Sequence, residues 1–240
     1  IILNDISDGN FSLIQFYERR IRRIFPALIT VLLFTFILFN QIYLEEELKK
    51  LLQSILSSLL FYSNFYFLNF GSYFNPVNEN FPLLHTWSLS IEEQFYLFFP
   101  LLVLIFKKRL NSFIFILIIF TILSFSLSQF GGNLKFTTPY IEQEINFFSI
   151  PQFAFYFTLT RVWEILIGSL IAIYLFSKKQ QYKNKFLTLI GYFLIFFSFI
   201  SFNKYTYHPS IFTLVPIIGT VFIILYSDIS FNKEGLLKII

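Results

Sequence analysis

The chain has 240 residues, of which 56% are hydrophobic, 22% aromatic and only 13% charged, with a net charge of +4. A soluble domain carries about 25% charged residues, so this composition excludes an ordinary soluble globule and places the chain among multi-pass membrane proteins. Cysteine is absent, which removes disulfides, thiolate metal sites and a cysteine nucleophile.

Ile1 to Asn10 reads as a loop, because Asn4, Asp5, Ser7, Asp8 and Gly9 are turn formers. Phe11 to Phe25 has helical apolar spacing and predicts a short amphipathic helix whose other face carries Glu18, Arg19, Arg20, Arg22 and Arg23. Pro26 is then expected to open a first membrane span that runs to Tyr43. Leu51 to Phe70 is apolar but interrupted by Gln53, Ser54, Ser57, Ser58, Ser63, Asn64 and Asn69, a weak spanning candidate. Asn75-Pro76 signals a turn. Spans are expected over Phe95–Phe106, Ser112–Phe130, Phe153–Phe176, Phe186–Phe202 and Ser210–Tyr226, with a polar loop at Gly131–Pro151 and His208-Pro209 in a short connection.

The basic residues gather at Arg19–Arg23, Lys107–Arg109 and Lys178–Lys185, as cytoplasmic loops do, rather than forming a nucleic-acid surface. With all three clusters inside, everything from Tyr43 to Phe95 begins and ends outside, so Leu51–Phe70 cannot cross once. It is expected to be re-entrant or to lie along the outer interface. The expected fold is therefore all-α: a polytopic membrane helix bundle of about six crossings plus that one segment.

Three constellations carry chemistry. In Pro82–Tyr96, Ser90-x-x-Glu93 is a capping-box pattern that predicts a helix starting at Ile91, with Glu92 and Glu93 in its first turn. His85 and a carboxylate facing a cavity would suit acid–base work on a hydroxyl. Equally, His85 and Trp87 would serve as interfacial anchors and the glutamates as a cap. In Arg19–Arg23, two overlapping Arg-x-x-Arg pairs present guanidinium forks for phosphate groups, or anchor the chain at anionic lipid. Arg161 and Glu164, three residues apart, are expected to pair in the bundle interior, as a functional or a structural ion pair. No His/Asp/Glu cluster has metal-ligand spacing, and no Gly-rich phosphate loop is present.

Together three stretches resemble the acyltransferase 3 family of bacterial membrane enzymes. These are Phe16–Ala27, the very specific Pro82–Tyr96, and Thr160–Gly168 with its Arg-x-x-Glu; Ser63-Asn64 and Pro216–Thr220 fall in the same order. The resemblance implies O-acylation, often O-acetylation, of extracytoplasmic glycans such as lipopolysaccharide or other envelope polysaccharides, in the cytoplasmic (inner) membrane. It implies an acyl-CoA donor, acetyl-CoA above all, and no metal. By resemblance Arg19, Arg20, Arg22 and Arg23 would hold that donor. Glu92, His85, Arg161 and Glu164 would belong to the catalytic region, with Trp87, Ser88 and Glu93 shaping it.

Relative to the family pattern, the first helix with its Arg and catalytic His, the Gly-rich second helix, the closing helices and any SGNH-type extracytoplasmic domain are missing. Methionine is also absent, so the chain reads as one acyltransferase domain over residues 1–240, incomplete at both ends. Its expected parts are a cytoplasmic Arg-rich juxtamembrane segment at 1–25, a membrane bundle at 26–227, and a linker with the start of a further helix at 228–240. The general base is expected upstream, and the fragment by itself is expected to be inactive. Membrane lipid and the glycan acceptor are the expected partners, and nucleic acid is not. A transporter or flippase for a lipid-linked glycan is the alternative, although the repeat symmetry and paired broken helices of transporters are not seen.

Overall fold

The computed structural model describes residues 2–7, 9–70, 81–106, 109–130, 150–178, 183–203, 206 and 208–227. Asn75-Pro76, Lys107, Lys108, most of the 131–151 loop, part of the 178–185 cluster and residues 228–240 lie outside them. Among the described residues there is no strand. Ten α-helices follow in order: α1 Ile2–Ser7, α2 Leu13–Phe39, α3 Glu45–Leu59, α4 Ser63–Phe70, α5 Thr86–Phe106, α6 Leu110–Phe130, α7 Ile150–Tyr156, α8 Thr158–Lys178, α9 Lys185–Ser201 and α10 Leu214–Tyr226. A 3-10 turn, Ile211–Thr213, leads into α10. The chain folds as two units, Ile1–Leu166 and Ile167–Ile240.

Helices α2, α5, α6 and α8 are long and apolar enough to cross a membrane, while α9 and the stretch Ile211–Tyr226 are shorter apolar helices. This is the polytopic helical bundle expected of the composition. Its outer surface carries large apolar side chains such as Phe34, Phe98, Phe115 and Phe196, as contact with hydrocarbon requires.

Four local expectations are corrected. Residues 2–7 form a short helix rather than a loop. Pro26 does not separate two helices: α2 runs through it for 27 residues, about 40 Å at 1.5 Å per residue. The Arg-rich segment thus lies in the first half of a long span, capped at Ser12, whose side chain accepts from Gln15 N. The expected single span from Phe153 is split at Phe157 into α7 and α8. There the Tyr156 carbonyl accepts from Asn64 Nδ2 (3.1 Å), and the Thr160 hydroxyl contacts the Ala154 (2.8 Å) and Phe157 (2.6 Å) carbonyls. Side chains take up the backbone groups that a continuous helix would have paired.

Leu51–Phe70 also divides, into the end of α3 and all of α4, joined at Phe61, whose φ is +51°. Neither piece is a spanning helix by length and composition. Helix α3 turns Ser54, Ser57 and Ser58 inward beside Leu51, and leaves Leu52 and Leu56 exposed along with Glu45, Glu46, Glu47, Lys49 and Lys50. Its hydroxyls bond to carbonyls within the helix, Ser54 to Leu51 O and both Ser57 and Ser58 to Ser54 O. The core of the first unit joins Leu28 and Leu32 of α2, Leu51, Tyr66 and Phe67, Leu83 and Leu84, Trp87 and Ile91, and Tyr156.

In the second unit, α9 and α10 meet at two glycines. A Cβ on Gly191 would stand 2.7 Å from the Gly219 carbonyl oxygen, and one on Gly219 would stand 2.8 Å from that of Gly191. Only hydrogen fits between these backbones. Asn184 caps α9 through its side chain, and its N–H donates to the Tyr226 carbonyl at 3.1 Å, tying the ends of the pair.

Candidate active site

The candidate site is built on the first two turns of α5. This helix starts at Thr86, five residues before the Ile91 that the capping pattern predicts. The Ser90 hydroxyl is not a cap: it contacts the Ser63 hydroxyl (2.7 Å) and accepts from the Ser63 amide (3.2 Å) at the start of α4. Thr86 opens the helix instead. Its hydroxyl donates to Leu83 O (2.8 Å) and contacts Ser58 (2.8 Å) and Ser63 (3.0 Å). Four buried hydroxyl-bearing residues of α3, α4 and α5, Ser58, Ser63, Thr86 and Ser90, thereby close this junction. Glu92 and Glu93 accordingly sit in the second turn, beyond the free N–H groups of the helix start.

The two glutamates face different surroundings. Glu93 pairs with Arg20 of α2 through both carboxylate oxygens, with Nε to Oε2 at 3.3 Å. Only 22% of the Arg20 side chain and 13% of the Glu93 side chain are exposed. The Arg20 guanidinium also lies 3.5 Å from the centre of the Tyr96 ring, a cation–π contact. One turn earlier in α2, Tyr17 donates to the Leu97 carbonyl at 2.8 Å, so the two helices run antiparallel at this contact. Glu92 is exposed, as are Ser88 and His85. Ser88 and Glu92 are four residues apart and share one helix face. The Ser88 hydroxyl donates to the His85 carbonyl at 3.2 Å. His85 and Glu92 are both exposed, and no hydrogen bond joins them.

Trp87 is buried rather than an interfacial anchor. Its ring packs on Phe155 (4.4 Å between centroids) and Tyr156 (5.5 Å) of α7. The Arg161 guanidinium lies 5.4 Å from the Trp87 ring and 5.5 Å from that of Phe155, and it donates to Glu164 Oε1 at 3.0 Å. The expected Arg161–Glu164 pair is thus present and is brought against Trp87, a grouping that spacing alone did not give. From Trp87 to Glu93 is about 9 Å along α5, so two arginine–glutamate pairs flank its opening turns.

Of the remaining arginines, Arg19 pairs with Asp5 (3.1 Å) and Arg22 with Glu18 (2.7 Å), both well exposed. Arg23 is exposed, and no ion pair holds it among the described residues. The overlapping Arg-x-x-Arg pairs are therefore not equivalent, since Arg20 is committed to Glu93.

Gln94 was not singled out by sequence reasoning. Its Nε2 donates to the Phe61 carbonyl (2.8 Å) and to Asn64 Oδ1 (2.9 Å), and its Oε1 accepts from the Thr158 hydroxyl. Asn64 Nδ2 in turn reaches Thr158 Oγ1 at 3.1 Å. One glutamine thus ties the α3–α4 corner, α5 and the start of α8 together. The signal was available: an uncharged polar side chain entering a membrane-grade segment needs a partner.

An apolar bundle with paired ionisable groups inside it and an acidic, open helix face defines a membrane protein with a polar interior site. Residues 7–240 match the acyltransferase 3 family, described as an acyltransferase domain, and the chain belongs to that family. It is 36% identical over 234 residues to an uncharacterized protein of Haemophilus influenzae, covering 93% of this chain and 91% of that one. It is 36% identical over 99 residues to the peptidoglycan O-acetyltransferase OatA of Listeria monocytogenes, covering 41% of this chain and 16% of that protein. Against the O-acetyltransferase OatA of Staphylococcus aureus it is 35% identical over 92 residues, 38% of this chain and 15% of the relative. The aligned segments thus span less than a fifth of these two O-acetyltransferases. No solved structure matches the chain.

Proposed function

We propose that this chain is the membrane part of an O-acyltransferase of the bacterial inner membrane. It would move an acyl group, acetyl above all, from a cytoplasmic acyl-CoA to a hydroxyl of an envelope polysaccharide such as lipopolysaccharide or peptidoglycan. The observation that carries this reading is the exposed Ser88–Glu92 face of a spanning helix, with exposed His85 just ahead of that helix and the Arg20–Glu93 pair one residue away. A carboxylate kept accessible on such a helix is costly unless it serves a polar ligand.

Balance of the reaction assigns the roles. The acceptor hydroxyl oxygen bonds to the acyl carbon, the carbon–sulfur bond breaks, and the hydroxyl proton ends on the CoA sulfur. Glu92 accepts a hydrogen bond from the attacking hydroxyl and orients it. The oxygen of the thioester carbonyl gains charge and needs donors; Arg161 of α8, buried and held against Trp87 at the start of α5, supplies them. The donor's phosphates suit planar guanidinium forks. Arg19 and Arg22 are exposed and can exchange their surface partners for them, Arg23 is exposed as well, and Arg20 would have to leave Glu93. Relatives named as O-acetyltransferases support acetyl as the group and peptidoglycan as one acceptor class.

The test is acyl transfer from labelled acetyl-CoA to envelope glycan in bacterial membrane vesicles holding the full-length protein. Glu92→Gln and Arg22→Ala are each expected to abolish most incorporation at wild-type protein levels. Full incorporation by both variants would reject the catalytic reading.

A further inference from the structure

Ser124 of α6 occupies an unusual place. In an uninterrupted helix the Trp163 N–H donates to the Leu159 carbonyl. Here the Ser124 hydroxyl stands between them: it accepts from Trp163 N at 3.0 Å and donates to Leu159 O at 2.5 Å. A side chain from a neighbouring helix thus engages both partners of one rung of the α8 ladder, and insertion into such a rung is one of the identifiable causes of a local change in helix direction. The turn it enters carries Arg161, and Glu164 follows directly.

That turn is also held from other sides. Thr158 donates to Gln94 of α5, and Thr160, fully buried, bonds to the Ala154 and Phe157 carbonyls. Three consecutive hydrogen-bonding positions, at 158, 159 and 160, are fixed by groups outside the helix before Arg161 leaves it. Ser124 is the member whose removal need not orphan a polar group, because Trp163 N and Leu159 O can then bond each other. The turn would close and Arg161 would shift.

We propose that Ser124 is a positioning residue for the acyl-transfer reaction: by wedging open the first turns of α8 it aims the Arg161 guanidinium at the Trp87 face of α5. This rests on the acyltransferase reading for its kinetic consequence, but not for its geometry. Without the hydroxyl the protein folds, binds its donor, and reacts slowly.

The experiment compares Ser124→Val, Ser124→Ala and Ser124→Thr in the full-length protein in membranes. Val and Thr have nearly the same shape and differ in the hydroxyl. Misplacement of a reacting or stabilising group by about 1 Å costs about 100-fold in rate, so Val and Ala are expected to lose about 10- to 100-fold in kcat with the donor KM within about twofold, and Thr to restore it. A second readout needs no activity. Trp87 and Trp163 are the two tryptophans in the chain; in a background where Trp163 and any tryptophan outside residues 1–240 are replaced by Phe, the emission of Trp87 reports the cation above its ring. Ser124→Ala is expected to move that emission as Arg161→Ala does, while Ser124→Thr leaves it in place. If Val matches wild type in kcat and Ala leaves the Trp87 emission unchanged, the proposal is overturned. An equal loss of kcat by Val and Thr also overturns it, since shape alone would then explain the effect. Absence of transfer in the wild type, with the emission shift present, would count against the acyltransferase reading and leave the positioning role standing.

Discussion

Arg20 holds Glu93 by both carboxylate oxygens, and the very next position towards the start of α5, Glu92, is left open. One carboxylate closes the α2–α5 contact and the other remains accessible. Removing one member of a buried ion pair strands its partner, at about 3–5 kcal/mol when burial is complete. The Arg20–Glu93 pair retains some exposure, so Glu93→Gln is expected to destabilise by about 2–3 kcal/mol. Glu92→Gln is expected to stay within about 0.5 kcal/mol of wild type. Thermal unfolding of the two variants in the same detergent checks the contrast, and equal losses would contradict the division of roles.

The polar knot at Gln94 gives a second expectation. Gln94→Leu removes two donors and one acceptor from the corner where Phe61 sits at φ +51°. A left-handed backbone costs an ordinary residue roughly 1–2 kcal/mol, and the Gln94 contact to the Phe61 carbonyl is part of what holds it there. Interhelical hydrogen bonds in membranes are worth about 0.6–1.7 kcal/mol each. Gln94→Leu should therefore lower stability by about 1–3 kcal/mol. Gln94→Glu should be at least as damaging, because a carboxylate faces two acceptors, the Phe61 carbonyl and Asn64 Oδ1. Greater resistance to thermal unfolding in Gln94→Glu than in Gln94→Leu would contradict this.

The glycine contact of the second unit makes a third. At Gly191 an added Cβ meets a carbonyl oxygen and Ile223 Cγ1 at 2.9 Å. The backbone oxygen cannot turn aside as a side chain can, so even Gly191→Ala must separate α9 from α10. Overpacking of this kind costs about 1–3 kcal/mol. Limited proteolysis should cut Gly191→Ala and Gly219→Ala faster than wild type between α9 and α10, with Ser198→Ala as the control for an ordinary buried change.

Orientation supplies a fourth. With the basic clusters inside, the connection between α2 and α3 faces outward, and the one before α9 faces the cytoplasm. The chain has no native cysteine to confuse labelling. Leu44→Cys, exposed at that first connection, is expected to react with a membrane-impermeant maleimide in intact cells, and Lys183→Cys only after permeabilisation. The reverse pattern would invert the bundle.

The class of fold was legible because it depends on bulk quantities: apolar runs, their lengths and the scarcity of charge. Local boundaries were harder because tertiary partners decided them. Ser90 and Glu93 have the spacing of a cap, but Ser63 claims the first and Arg20 the second. Pro26 reads as a helix start, yet α2 continues through it because Phe16, Leu28 and Leu32 are buried on both sides of the proline. Arg161 and Glu164 were legible as a pair because their spacing is local. Their partner Trp87 was not, since it lies 74 positions away in a different helix.

Helix α3 carries one further consequence. Its first turns carry Glu45, Glu46, Glu47, Lys49 and Lys50 outward, its inner face sets Leu51 beside Ser54, Ser57 and Ser58, and Leu52 and Leu56 are left exposed further along. Its charged turns suit water or lipid headgroups while its exposed leucines need an apolar medium, so the surrounding amphiphile supplies part of its fold. Short-chain detergents that strip annular lipid would therefore loosen the α3–α4 elbow first, and with it the Phe61 carbonyl on which Gln94 rests. Purified protein can then lose turnover while its long helices remain intact, so the choice of amphiphile becomes a variable of the active site.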